Sequence, residues 1–84
     1  MTSQDQVEQL VIDVWQAALR VADIDINDDF FARGGHSVQA MAVVTALRER
    51  LAIELPVSLI FEASTVAEFA AEIRRVLANK QQVP

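Results

Sequence analysis

Eighty-four residues with 52% hydrophobic and 23% charged content describe one folded domain, because so short a chain has volume for a single apolar core and enough apolar side chains to fill it. The absence of cysteine excludes a disulfide framework, a thiolate metal site and a cysteine nucleophile, and two glycines and two prolines leave little punctuation for hairpins, so an all-α fold is expected. The net charge of −5 falls on residues 1–36, where seven acids face Arg20 and Arg33, and this disfavours nucleic acid and anionic membrane surfaces as partners.

Apolar residues Val7, Leu10, Val11, Val14, Trp15, Ala18, Leu19 and Val21 recur at helical spacing and predict a first helix from Ser3 to about Ala22. Ser3 and Gln6 have the spacing of a capping box at its start. From Asp23 to Gly35 the periodicity stops, which predicts a long loop with Ile24, Ile26, Phe30 and Phe31 as apolar anchors and its acids solvated. The two phenylalanines are read as pins that hold this loop on the bundle.

Helical spacing resumes at Ser37 and runs to Leu51 through Ala40, Val43, Val44 and Leu47, with Gly34 and Gly35 allowing a sharp turn into it. Pro56 suits the first turn of a short third helix through Glu62, with Leu59, Ile60 and Phe61 as its buried contacts. Thr65 and Glu68 have capping-box spacing ahead of a last helix whose inward face is Val66, Phe69, Ala70, Ile73 and Leu77. The polar residues 79–84 read as a tail or linker stub, which places the domain at 1–78. No apolar run is long enough to span a bilayer, and the polar, acidic start from Met1 to Gln9 is unlike a secretion signal, so a cytoplasmic, monomeric protein is expected.

His36-Ser37 after two glycines invites a hydrolase reading, which fails because the lone histidine is the serine's immediate neighbour and its ring should point elsewhere. A strand-to-helix nucleophile elbow would also want glycine where Gln39 stands. Asp23, Asp25 and Asn27 imitate the start of a calcium loop, but Asp28 occupies the position that needs glycine and Gly34 the position that needs a bidentate glutamate. One histidine cannot build a zinc site, and Gly34-Gly35 lacks the lysine and further glycine of a phosphate-cradling loop, so no metal and no catalytic residue is assigned. Position alone makes Ser37 either an ordinary helix cap or a point of modification, since free amides and the positive end of the helix dipole also suit an attached anion.

The run Asp29-Phe30-Phe31-Ala32-Arg33-Gly34-Gly35-His36-Ser37-Val38 closely resembles the attachment motif of peptidyl carrier (thiolation) domains of nonribosomal peptide synthetases. Leu55-Pro56 and Ile60-Phe61-Glu62-Ala63-Ser64-Thr65-Val66 resemble the same family's third-helix segment, so the likeness covers nearly the whole chain. The resemblance implies an acyl-carrier-like four-helix bundle in which Ser37, set off by Gly35 and His36, receives 4′-phosphopantetheine from coenzyme A and carries aminoacyl or peptidyl thioesters without catalysing anything. It implies a phosphopantetheinyl transferase and adenylation, condensation and thioesterase domains as partners.

Arg33 stands where that family usually has leucine, and Ser64 where proline is common. Arg33 is expected to add positive charge beside the arm and alter partner contacts. His36 favours a peptidyl carrier over a polyketide or fatty-acid carrier, which often shows aspartate there. The uncharged start of the second helix predicts docking through Val38 and Met41. The alternatives are an acyl carrier of a polyketide or hybrid pathway, and an unmodified helical interaction module.

Overall fold

The computed structural model describes residues 3–82, with side chains described over 6–79. The periodic stretches become four helices: α1 Ser3–Leu19, α2 Ser37–Leu51, α3 Leu59–Glu62 and α4 Val66–Gln82. The all-α bundle with a long first loop and a short third helix is thus the observed architecture. Among the described residues the only extended pairing is an isolated bridge between Asp29 and Thr65.

α1 and α2 end for local reasons. α1 stops at Leu19, short of the expected Ala22, because Arg20 takes a left-handed conformation (φ 58°) and the chain folds back so that the Val21 N–H donates to the Gln16 carbonyl at 3.2 Å. The Gln16 side-chain amide then donates to the Ala22 carbonyl at 2.8 Å and closes the turn. The Ser3–Gln6 cap lies outside the described side chains.

α2 ends in the same way at Ala52 (φ 53°), and Arg48 Nε donates to the Leu55 carbonyl at 2.7 Å, tying the connection back onto the helix. The third segment starts turning at Pro56 through three-residue bonds from Leu59 and Ile60, but only Leu59–Glu62 is helical. Thr65 Oγ1 accepts the Glu68 N–H at 3.2 Å, the first half of the box expected before α4. α4 itself continues to Gln82, so residues 79–82 extend the helix.

α1 packs along α4 and α2, and α3 leans on α4. At the centre lies Trp15, fully buried, with Phe30 edge-on at 5.1 Å and Phe69 tilted against it at 6.2 Å. Val11, Val43, Val44, Leu47, Leu55, Ile60, Val66 and Ile73 are fully buried around them. Each such side chain contributes about 1.5–3 kcal/mol by leaving water. Phe30 therefore holds the loop as expected, whereas Phe31 is only half-buried. Two expected core residues face outward: Ile26 is exposed, and Phe61 is 51% exposed because a helix as short as α3 turns only Ile60 fully inward.

Candidate functional site

The loop ahead of α2 is built by carboxylates that accept backbone N–H groups. Asp25 accepts from Asn27 at 3.0 Å, and Asp28 accepts from Asp25 at 2.9 Å. Asp29 accepts from both Phe31 and Ala32 at 3.0 Å and also takes the hydroxyl of Ser64. The expectation of merely solvated acids is corrected here, because a loop without regular structure must satisfy its amides locally and short carboxylate side chains do so.

Those bonds favour the ionised form of the acids. The Asp29 carboxyl is held below the ordinary aspartate range first by the Ser64 hydroxyl and then by the Ala32 amide, with burial opposing and the Phe31 amide adding. Asp28 is lowered chiefly by the Asp25 amide, against a smaller effect of burial, and further by Arg33. Arg33, expected beside the partners, instead turns its guanidinium onto Asp28 at 2.6 Å and Asp23 at 3.2 Å, and its pKa is raised by these bonds, that to Asp23 first. The carboxylates of the calcium-like stretch are thus engaged with amides and arginine, and among the described residues no cluster is placed to hold a metal ion.

A second set of bonds ties this loop to the α3–α4 junction. The Phe30 N–H donates to the Ser64 carbonyl at 2.8 Å, and the Ala67 N–H donates to the Ile26 carbonyl at 2.9 Å. From there the chain tightens through Arg33 to Asp29 (3.0 Å), Gly34 to Phe31 (3.2 Å) and Gly35 to Phe30 (3.0 Å), each an N–H to a carbonyl. Gly34 has φ +96°, which a side chain would strain. Gly35 is buried, and a Cβ there would overlap the Phe30 ring and lie 2.8 Å from the Phe30 carbonyl oxygen.

Beyond this corner His36 is extended (φ −128°, ψ 176°) and is the N-cap of α2, so Ser37 is the first helical residue. The reading of Ser37 as the cap is corrected on that ground. Ser37 is exposed, with no hydrogen-bond partner for its hydroxyl among the described residues. The His36 carbonyl accepts the Ala40 N–H at 2.9 Å, and the His36 N–H donates to Gln39 Oε1 at 2.9 Å. No acid stands in the first turn of α2.

An anion esterified to the Ser37 oxygen fits this position, since it would meet the positive end of a helix and no carboxylate of that turn. Serine hydrolysis does not fit, because among the described residues no strand precedes Ser37 and its hydroxyl has no basic partner.

Exposed apolar side chains follow Ser37 on the same helix. Val38 is 78% exposed and Met41 56%, both on α2, while Phe61 stacks on Phe31 with ring centroids 5.0 Å apart and planes 16° from parallel. Gln39 and the Phe31–Phe61 pair are the features that sequence reasoning missed. The spacing from His36 to Gln39 was a usable signal for the first, whereas nothing local announces the second.

Residues 9–73 match the family described as phosphopantetheine attachment site. The chain is 43% identical over 72 residues to tyrocidine synthase 3 of Brevibacillus parabrevis, covering 86% of this chain and 1% of that protein, so it spans a small fraction of this curated relative. Among solved structures it is similar to BlmI, a type-II acyl carrier protein from Streptomyces verticillus involved in bleomycin biosynthesis. That likeness has TM-score 0.87 and 25% identity over 90% of this chain and 92% of that one. It is also similar to the structure of a peptidyl carrier protein in complex with the phosphopantetheine transferase Sfp and coenzyme A (TM-score 0.78, 33% identity, 82% of this chain and 90% of that one).

Proposed function

Because this chain belongs to the phosphopantetheine attachment site family of peptidyl and acyl carrier domains, we propose that Ser37 is the residue that carries the arm. The domain is a non-catalytic carrier. Its covalent 4′-phosphopantetheine supplies a terminal thiol that holds biosynthetic intermediates as thioesters. The observation that supports Ser37 is an exposed hydroxyl, without a hydrogen-bond partner among the described residues, on the first helical residue after a rigid corner. Gly35 lets that corner close against Phe30, and His36 leads the chain from the corner into the helix. The domain adds effective concentration, since a tethered intermediate reaches each partner without free diffusion.

Val38 and Met41 form the docking surface, with the Phe31–Phe61 stack extending the apolar area presented by the domain. The first partner is a phosphopantetheinyl transferase, as in the complex of the similar peptidyl carrier protein. Adenylation, condensation and thioesterase domains follow in nonribosomal peptide assembly, the setting suggested by the synthetase relative and by His36 before the serine. Arg33, paired with Asp23 and Asp28, ties together the loop ahead of the arm and is the further residue placed to alter partner contacts. Among the described residues no helix is long and apolar enough to cross a membrane.

The test is intact mass after incubation with a promiscuous phosphopantetheinyl transferase and coenzyme A, with Ser37→Ala folded to the same helicity as control. A phosphopantetheinyl gain in the parent alone is expected. No gain with two transferases would make the domain an unmodified interaction module.

A further inference from the structure

We propose that Gln39 is a positioning residue for the modification of Ser37, a reading that rests on Ser37 being the attachment site. His36 is the single residue between the glycine corner and the first helical residue, and both peptide planes that flank it are held. Its carbonyl, shared with the Ser37 peptide, accepts the Ala40 N–H at 2.9 Å as part of the helix. Its N–H, shared with the Gly35 peptide, lies outside the helix and is met by Gln39 Oε1 at 2.9 Å. The preceding N–H, that of Gly35, is held by the Phe30 carbonyl at 3.0 Å.

Two anchored planes leave His36 no free rotation, and Ser37 stands on the second of them. Removing the Gln39 oxygen releases the first plane, and the opening turn of α2, where helices fray most readily, then moves relative to the corner. Gln39 is half-buried and reaches back over the distance that a longer amide side chain spans from the third helical position to the N-cap.

The direction of the Ser37 hydroxyl matters because of the step it undergoes. Its oxygen bonds to the coenzyme A phosphorus that bears pantetheine, that phosphorus parts from the oxygen of 3′,5′-ADP, and the hydroxyl proton passes to a base of the transferase. In-line displacement is sensitive to small misplacement of the attacking atom. Gln39 touches neither reactant in this scheme and acts through the backbone it holds.

The test uses the full chain with a phosphopantetheinyl transferase and coenzyme A, comparing the parent with Gln39→Met, which keeps the bulk and removes the acceptor, and Gln39→Glu, which restores an acceptor. Loss of a cap bond of this kind corresponds to about a five-fold change. Gln39→Met is expected to lower kcat by about that factor with KM unchanged, and to speed hydrogen exchange of the His36 amide. Gln39→Glu, whose carboxylate accepts the same N–H, is expected to restore the slow exchange of the His36 amide. A parent kcat in Gln39→Met, a loss confined to KM, or exchange of the His36 amide that stays fast in Gln39→Glu would each overturn the inference while leaving Ser37 as the attachment site. A parent that takes no phosphopantetheine at all would overturn the attachment reading and this one with it.

Discussion

Replacing Ser64 with alanine removes the hydroxyl that Asp29 accepts while keeping the Ser64 carbonyl that accepts the Phe30 N–H. Asp29 retains the amides of Phe31 and Ala32, so its carboxylate is not orphaned and the cost is that of one bond to a charged acceptor. Such bonds contribute about 1.5–3 kcal/mol, and solvent screening at this part-exposed site brings the expected loss to about 1 kcal/mol. For a domain of this size that lowers Tm by roughly 4–8 °C.

The pH dependence has a definite sign. Asp29 is held below its ordinary range in the folded protein, so its contribution is complete above the unfolded value of about 3.9 and disappears as pH falls through the lower folded value. The Ser64→Ala deficit should therefore be full at neutral pH and shrink on acidification below about pH 4. Urea unfolding followed by fluorescence of Trp15, the single and fully buried tryptophan, measures it at both pH values. A Ser64→Ala, Asp29→Asn double-mutant cycle isolates the pair. An equal deficit at neutral and acid pH, or a coupling energy below about 0.3 kcal/mol, would refute the reasoning.

The two glycines of the corner should respond differently to alanine. Gly34→Ala meets nothing nearby and suffers only the strain of its positive φ, about 1–2 kcal/mol, whereas Gly35→Ala must displace the Phe30 ring and carbonyl and should cost more and slow phosphopantetheinylation. Thermal melts of both variants check this, and a Gly35→Ala melt as mild as that of Gly34→Ala would contradict it. Val38→Asp changes a residue that is 78% exposed, so stability should stay within about 0.5 kcal/mol while aminoacyl loading by an adenylation partner falls about ten-fold. Unchanged loading would remove Val38 from the docking surface.

The helices were legible because burial imposes a 3.6-residue period that the apolar residues of α1, α2 and α4 repeat, and Thr65 announces its helix through chemistry confined to one turn. The glycine corner ahead of Ser37 was legible through its motif. The wiring behind it was not, because Ser64 and Asp29 meet across 35 positions and Arg33 could have faced partners as easily as Asp23 and Asp28. Phe61 could not be placed either, since α3 is shorter than two turns and has no period to show which way its side chains face. The end of α1 depends on Arg20 adopting a conformation that favours glycine, so its residue type gave no warning.

Phe30 touches Trp15 at the centre of the bundle on one side and backs onto Gly35 on the other. The serine beyond that glycine is therefore a pivot fixed to the core. With the proposed attachment at Ser37, an intermediate would sweep a shell whose radius is the length of its tether, and two partner sites farther apart than that shell could be served only by turning the whole domain. In a hybrid synthetase built around this domain, the length of the chain joined to it would then govern reach. A loop grafted from another carrier would have to bring its own counterpart of the Trp15–Phe30 contact to keep the pivot still.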